Sequence, residues 1–299
     1  MAKYQIFTDS CSDLSTELRK ENNIDYVHMG LVVNDEEKVA DLDWIDYKPE
    51  EFYGWLSSGK KIKTTQVSIE EFVNKFRPYL EKGIDIMYLA CSSALSGSIN
   101  VFHMVVEELK EEFPDRKFVG IDTLCGSFTE GLLVLYAARK QKEGLSIDEL
   151  AQWVEDNKFY FNQFATVDTL KYLKDAGRIK GAAAFFGNVI GIKPIFISDR
   201  KGNNLVVKKV KGTKASLDEL FEGIKNTLDK EKCDEVFVGQ GMAMERAELL
   251  KNRIESELNI KATIIWIGPI VGTTCGPGVI GTFCYGKEVT RFEGDGVNQ

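Results

Sequence analysis

The chain has 299 residues, enough for two domains of ordinary size, or one large one, each with a buried core that needs no covalent staples. Its residues are 43% hydrophobic and 28% charged, with 26 glycines and 6 prolines, which excludes disordered and fibrous classes. The formal charge of −8, from 38 basic and 46 acidic residues, leaves no general basic face to neutralise phosphates and argues against a nucleic-acid partner.

Strand and helix signals alternate along the chain, the pattern of a sheet with crossover helices. Residues 4–8 read as an apolar strand ending at Asp9 and Ser10, and 14–21 as the helix that follows. The start passes straight into this strand, and no run approaches the roughly 18 apolar residues of a membrane span, so a cytoplasmic protein without stable membrane insertion is expected. Residues 25–33 read as one extended run, and 69–82 as an amphipathic helix with Phe72, Phe76 and Leu80 on one face. A buried strand over 85–90 leads into Cys91-Ser92-Ser93-Ala94-Leu95-Ser96-Gly97, with a helix over 99–113. A third strand, 118–122, precedes a long helix over 129–143. Each of the three strands leads into polar residues at its carboxyl end, the edge where open α/β sheets bind ligands.

The second half predicts strands over 163–166, 193–198, 205–210, 235–239 and 262–267, with helices over 169–176, 216–229 and 243–258. Asp199 to Asn203 reads as a hairpin turn. Two α/β domains are expected, 1–162 with a mostly parallel sheet and flanking helices and 163–299 with a mixed sheet.

A search for catalytic signatures is negative: there is no G-x-S-x-G elbow, no phosphate loop and no H-E-x-x-H helix. The two histidines, His28 and His103, sit in apolar surroundings and read as structural. The six cysteines are scattered without a C-x-x-C pair, so they read as small buried hydrophobes, and no metal or other cofactor is expected. Hydroxyl and glycine clusters are abundant instead, at 8–10, 64–68, 92–98, 127–129 and 272–278. Such clusters serve as helix caps, as Asp9, Ser68 and Ser96 are placed to do. The same free amides and hydroxyls also make an anion seat, suited to a weakly charged carboxylate where no cation is guaranteed.

The ordered motifs resemble the DegV family over almost the whole chain. Thr8-Asp9-Ser10 with Asp13-Leu14 resembles T-D-S-x-x-D-L, Thr64-Thr65-Gln66-Val67-Ser68 resembles T-S-Q-P-S, and Ser92 to Ser98 resembles S-S-x-L-S-G-T. Thr169 to Leu173 with Gly177-Arg178-Ile179 resembles T-L-x-Y-L-x-x-G-G-R-I. Gly191 to Ile195 resembles G-I-K-P-I-L, and Gly268-Pro269 with Gly276-Pro277-Gly278 resembles G-P-x-I-G-x-H-x-G-P-G.

The resemblance implies a protein that binds one long-chain fatty acid between two α/β domains and presents it to a separate fatty acid kinase subunit, without being an enzyme itself. Carried over, the carboxylate meets the hydroxyls of Thr64 and Ser96, with the Gly97 amide close by, Thr65 and Ser93 beside them, and Arg178 facing from the second domain. The apolar stretch 182–191 offers tunnel lining through Ala183, Phe186 and Ile190, continued by Ile192. Three positions depart from the pattern: Val67 where proline is usual, Ala176 for the first glycine before Arg178, and Thr274 where the family has histidine. Thr274 keeps one hydroxyl for the site. Two other readings stay open, an enzyme resembling dihydroxyacetone kinase or a sugar phosphocarrier, and a regulatory module that responds to a lipid.

Overall fold

The computed structural model describes residues 4–180 and 191–290. Strand β1 (Tyr4–Asp9) is buried along its whole length, because it lies inside a parallel sheet with helices on both faces. The sheet order is β2 (Ile24–Val27), β1, β6 (Asp85–Ala90) and β7 (Phe118–Asp122). Its side chains alternate between two cores. Phe7 meets Phe76 of helix α3 (Ile69–Leu80) on one face, while Ile6, Met87 and Leu89 face helix α5 (Phe128–Lys142) on the other. Helix α3 buries Phe72, Phe76 and Leu80, the expected stripe, and starts where Ser68 Oγ accepts from the Glu71 amide. Helix α4 (Ser98–Glu112) covers the same face.

The expected single run over 25–33 is two strands in two sheets. After β2 the chain breaks at His28 and Met29, where the Met29 amide donates to Ser10 Oγ. It then enters a small antiparallel sheet, ordered β4 (Glu36–Val39), β3 (Gly30–Val33) and β5 (Ile62–Thr65). In the first half two helices appear without having been expected, α2 (Pro49–Ser57) and α6 (Ile147–Asn157). Both have legible starts: proline and two glutamates open α2, and Ser146 with Glu149 forms a reciprocal capping box on α6.

Every longer strand from residue 161 onward joins one mixed sheet, ordered β13 (Lys261–Trp266), β12 (Glu235–Gly241), β14 (Val279–Tyr285), β8 (Phe161–Thr166), β10 (Ile192–Ser198) and β11 (Asn204–Lys211), with two-residue β9 (Ile179–Lys180) at the edge. Helices α8 (Thr213–Thr227) and α9 (Met244–Leu258) pack on one face. Short helices α7 (Lys171–Ala176) and α10 (Pro269–Cys275) sit toward the first half. Strand β14, unexpected from the sequence, is buried at all its positions, so it lacks the alternation that marks a half-exposed strand. The expected hairpin is present, with the Asp199 amide donating to the Asn203 carbonyl. We propose the division of the chain at 162/163, two residues into β8; the strands change sheet there, but the hydrophobic core does not stop.

That continuity comes from α5. Residues 128–138 are all buried, and the helix contacts β1 and β6 of the parallel sheet together with β8 and β14 of the mixed one. Phe128 packs against Phe237, tilted at 4.5 Å between ring centres, and meets Phe283 edge-on at 5.9 Å. The α/β architecture is therefore two sheets sharing one helix. Among the described residues no helix is long and apolar enough to cross a membrane.

Because Phe128 is fully buried against the second sheet, Phe128→Ala should cost about 3–5 kcal/mol of stability. Urea unfolding measures it, and a loss under about 1 kcal/mol would mean that the two sheets are not held through this ring.

Candidate functional site

The carboxyl ends of β1 and β6 are tied by one buried carboxylate. Asp9 caps the short 3-10 turn Ser10–Ser12 and accepts from the Cys11 amide at 2.9 Å, the Cys91 amide at 3.0 Å and the Tyr88 hydroxyl at 2.7 Å. Burial pushes its carboxyl up, and these donors oppose the rise. Four residues on, Asp13 takes a left-handed φ of 54° and joins the two halves. Its Oδ1 accepts from the Gly268 amide at 2.8 Å and its Oδ2 from the Ser127 hydroxyl at 2.6 Å. The Asp13 carboxyl is pushed up to about 7, chiefly by burial and only partly offset by the two donors.

Beyond these ends a cavity of about 140 Å³ opens between the halves. A cavity of about 150 Å³ admits benzene, so the space is large enough for an organic group of that size. Of the residues singled out from sequence, Thr64, Thr65, Ser96, Gly97, Arg178 and Thr274 all line it. They come from β5, the start of α4, the segment after α7, and α10. The remaining wall is largely apolar, with Met29, Leu95, Phe196, Ile267, Val271 and Phe283 among its members.

The polar lining is built from backbone and hydroxyls. Strand β5 pairs with β3, Thr64 opposite Leu31 and Thr65 opposite Gly30. Thr64 is half-buried, and its hydroxyl has no hydrogen-bond partner among the described residues. The loop after β5 is pinned to α4 by the Val67 amide donating to Ser98 Oγ at 3.1 Å. A proline at position 67 could not make that bond, so the departure from the family pattern has a local use. Gln66 lies over Gly97, where a Cβ would sit 2.1 Å from Gln66 Oε1. Gly97 stands at the start of α4 with no side-chain cap, and Ser96 Oγ lies 3.0 Å from Ser98 Oγ. Amides at such a helix start favour a negative group.

Arg178 reaches across from the second half. Its Nη1 donates to the Ala176 carbonyl at 2.7 Å and its Nε to the Leu95 carbonyl at 3.4 Å. It thus complements the end of α7 while spanning the cavity mouth. Thr274 Oγ1 is 3.5 Å from the Ile270 carbonyl, one turn back in α10. Tyr172 and Asp168 crowd the Gly276-Pro277-Gly278 turn, and Arg246 and Lys193 both bind Asp168. That motif is held as a rigid corner. The β10–β11 turn also closes on the first half, since a Cβ at Gly202, whose φ is +75°, would lie 2.1 Å from Ser92 Oγ.

Other expected positions fall elsewhere. Ser93 is exposed, outside the cavity lining, with its amide on Asp122 Oδ1 at 3.1 Å. Ile192 opens β10 away from the lining. Ala183, Phe186 and Ile190 lie outside the described residues. Neither histidine lines the cavity. His28 Nδ1 is 2.6 Å from Glu71 Oε1 and its Nε2 is 3.1 Å from the Tyr26 hydroxyl, while His103 is exposed on α4. The sequence reading missed the apolar wall supplied by α10 and β14, because seven-residue elements rich in glycine and threonine show no period.

Compared with known proteins, residues 3–287 match the profile of a family described as "Uncharacterised protein, DegV family". A DegV domain-containing protein of Clostridium perfringens is 36% identical, with 96% of this chain and 98% of that protein covered. The fold is similar to that of a fatty-acid-binding DegV family protein from Thermus thermophilus, with a TM-score of 0.83, 25% identity, and 95% of this chain and 100% of that one covered. A stearic-acid-binding protein from Eubacterium ventriosum has a TM-score of 0.85 at 24% identity, covering 95% and 98% of the two chains, a likeness of fold.

The raised Asp13 carboxyl gives a signed pH effect. Its stabilisation is fully present below the unfolded value of 3.8 and is lost as pH rises through about 7. Asn at this position keeps the Gly268 bond but does not titrate. The stability of Asp13→Asn should therefore fall less than that of the parent chain between pH 4 and 7, read as urea midpoints; parallel curves would refute the assignment.

Proposed function

The chain belongs to the DegV family over residues 3–287, and from that premise we propose that it encloses one long-chain fatty acid between its two sheets and presents the carboxylate to a separate fatty acid kinase subunit. The observation that supports this most is the make-up of the cavity lining: the hydroxyls of Thr64, Thr65, Ser96 and Thr274, the Gly97 backbone and Arg178 line the same space as many apolar side chains. On this reading Thr64 and Ser96 donate to the carboxylate, Gly97 offers its amide, and Thr65 and Thr274 complete the polar rim.

The two ends of such a ligand do different work. Burying an acyl chain at ~0.8 kcal/mol per CH₂ gives on the order of 10 kcal/mol before ordering costs. A hydrogen bond to a charged acceptor contributes roughly 1.5–3 kcal/mol. The apolar wall thus sets affinity, and the hydroxyls set which end faces the rim. The sequence contains no phosphate loop, which fits a chain that hands its ligand to a partner for phosphoryl transfer. The phosphocarrier reading needs a histidine at the ligand, and both histidines lie away from the cavity.

Native mass spectrometry of protein purified without added lipid should find one fatty acid of defined mass per chain; an empty pocket or a phosphorylated sugar would overturn the reading. Thr64→Ala with Ser96→Ala should keep the fold and weaken fatty-acid affinity at least tenfold, since each removed bond is worth roughly 1.5–3 kcal/mol. An unaltered affinity in the folded double variant would remove these two residues from the site.

Arg178 separates closure of the site from helix capping. If it holds the head-group end, Arg178→Ala should speed release of a fluorescent fatty acid in stopped-flow, or abolish acyl phosphate formation with kinase and ATP, and leave the melting temperature of the lipid-free protein nearly unchanged. A small stability loss of ~0.3–1 kcal/mol with release and phosphorylation intact would assign it to the end of α7 alone.

A further inference from the structure

Three cysteines line the cavity, and two of them come from the ends of neighbouring strands, Cys11 after β1 and Cys91 after β6. Both are buried and unbridged. Joining this pair is Glu130 in the first turn of α5, with no exposed surface. One Glu130 oxygen accepts from the Thr8 hydroxyl at 2.7 Å. The other, Oε2, is buried with no hydrogen-bond partner among the described residues. The ligand-type atoms of Cys11, Cys91 and Glu130 all lie within 4.8 Å of one another.

We propose that Cys11, Cys91 and Glu130 form a binding site for a thiophilic divalent cation of the zinc class, with a fourth coordination position facing the cavity. Two thiolates and one carboxylate are a donor set that such an ion accepts. Bonds of about 2.3 Å from metal to sulfur put two tetrahedral sulfurs about 3.8 Å apart, within reach of small side-chain rotations here. Binding releases the two thiol protons and the carboxyl proton, and the ion's double charge takes the site from neutral to net −1. No electrons move. The cavity itself offers the way in, since Cys11, Cys91 and Gly126 all line it. A disulfide between the same cysteines would leave Glu130 Oε2 unexplained; the metal site accounts for all three residues. The site rests on these contacts and not on the lipid reading.

The test uses the full chain, reduced and stripped with a chelator, then titrated with Cd(II), whose thiolate charge-transfer absorption reports sulfur ligation. The band should saturate at one equivalent, be displaced by Zn(II), vanish in Cys11→Ser and in Cys91→Ser, and persist in Cys233→Ser. Glu130→Gln should weaken Cd(II) binding at least tenfold. Should a variant fail to fold, the parent protein still decides. Absence of the band overturns the proposal, as does a Cys11–Cys91 disulfide formed by oxidised glutathione in protein that takes up no metal. A band that survives the double substitution Cys11→Ser with Cys91→Ser would also overturn it.

Discussion

The structure depends on helix α5 being buried on both flanks. An ordinary surface helix offers one apolar stripe to one sheet; α5 has no exposed face through residues 128–138. It has to be covered by two sheets, and the chain supplies them, β1 and β6 on one flank and β8 and β14 on the other. The two halves are therefore not free to part without uncovering a single shared core. Fixing their separation also fixes the gap beyond the strand ends, which is where the cavity lies.

The start of α5 turns that constraint into registration. Ser127 donates to Asp13, Thr129 to Gln163 of β8, and Thr8 to Glu130. Gly131 lets the first turn approach the other strand end, since a Cβ there would fall 2.3 Å from the Ser12 carbonyl. Farther out, two tyrosine hydroxyls cross the gap, Tyr53 to the Ile267 carbonyl and Tyr172 to the Leu56 carbonyl, at 2.8 and 2.9 Å. Buried polar groups tolerate little displacement because an orphaned partner is costly. The cavity walls near α5 are thus tied by several buried bonds, whereas Arg178 at the rim is exposed.

Much of this was legible in the sequence, and what escaped has physical reasons. Helix α3 announced itself through Phe72, Phe76 and Leu80 and its Ser68 cap. Thr64 and Arg178 were placed by motif resemblance, and the geometry brings both to one cavity although 114 positions separate them. Ser93 shared its motif with Ser96 but faces outward, because the turn between them reverses the chain and short-range spacing does not record that. Strand β14 was missed because burial on both faces erases alternation. The grouping of Cys11, Cys91 and Glu130 was illegible for a different reason: parallel strand pairing with an offset of 81 residues, Tyr4 to Asp85, creates the proximity. No local spacing encodes it.

The departures from the family pattern also fit together. Val67 keeps an amide that Ser98 uses, so the loop bearing Thr64 is tied to α4 by a bond that proline would forfeit. Thr274 stands where a histidine would titrate near neutral pH, and a hydroxyl there keeps its proton throughout the physiological range. On the proposed reading, in which Thr64, Ser96 and Thr274 are donors, the rim holds its hydrogen-bonding character as pH changes. Titration near neutrality is instead displaced inward to Asp13, whose Ser127 partner lines the cavity. On the proposed reading, pH acts on how firmly the halves are joined behind the ligand, while the groups that orient its carboxylate stay constant.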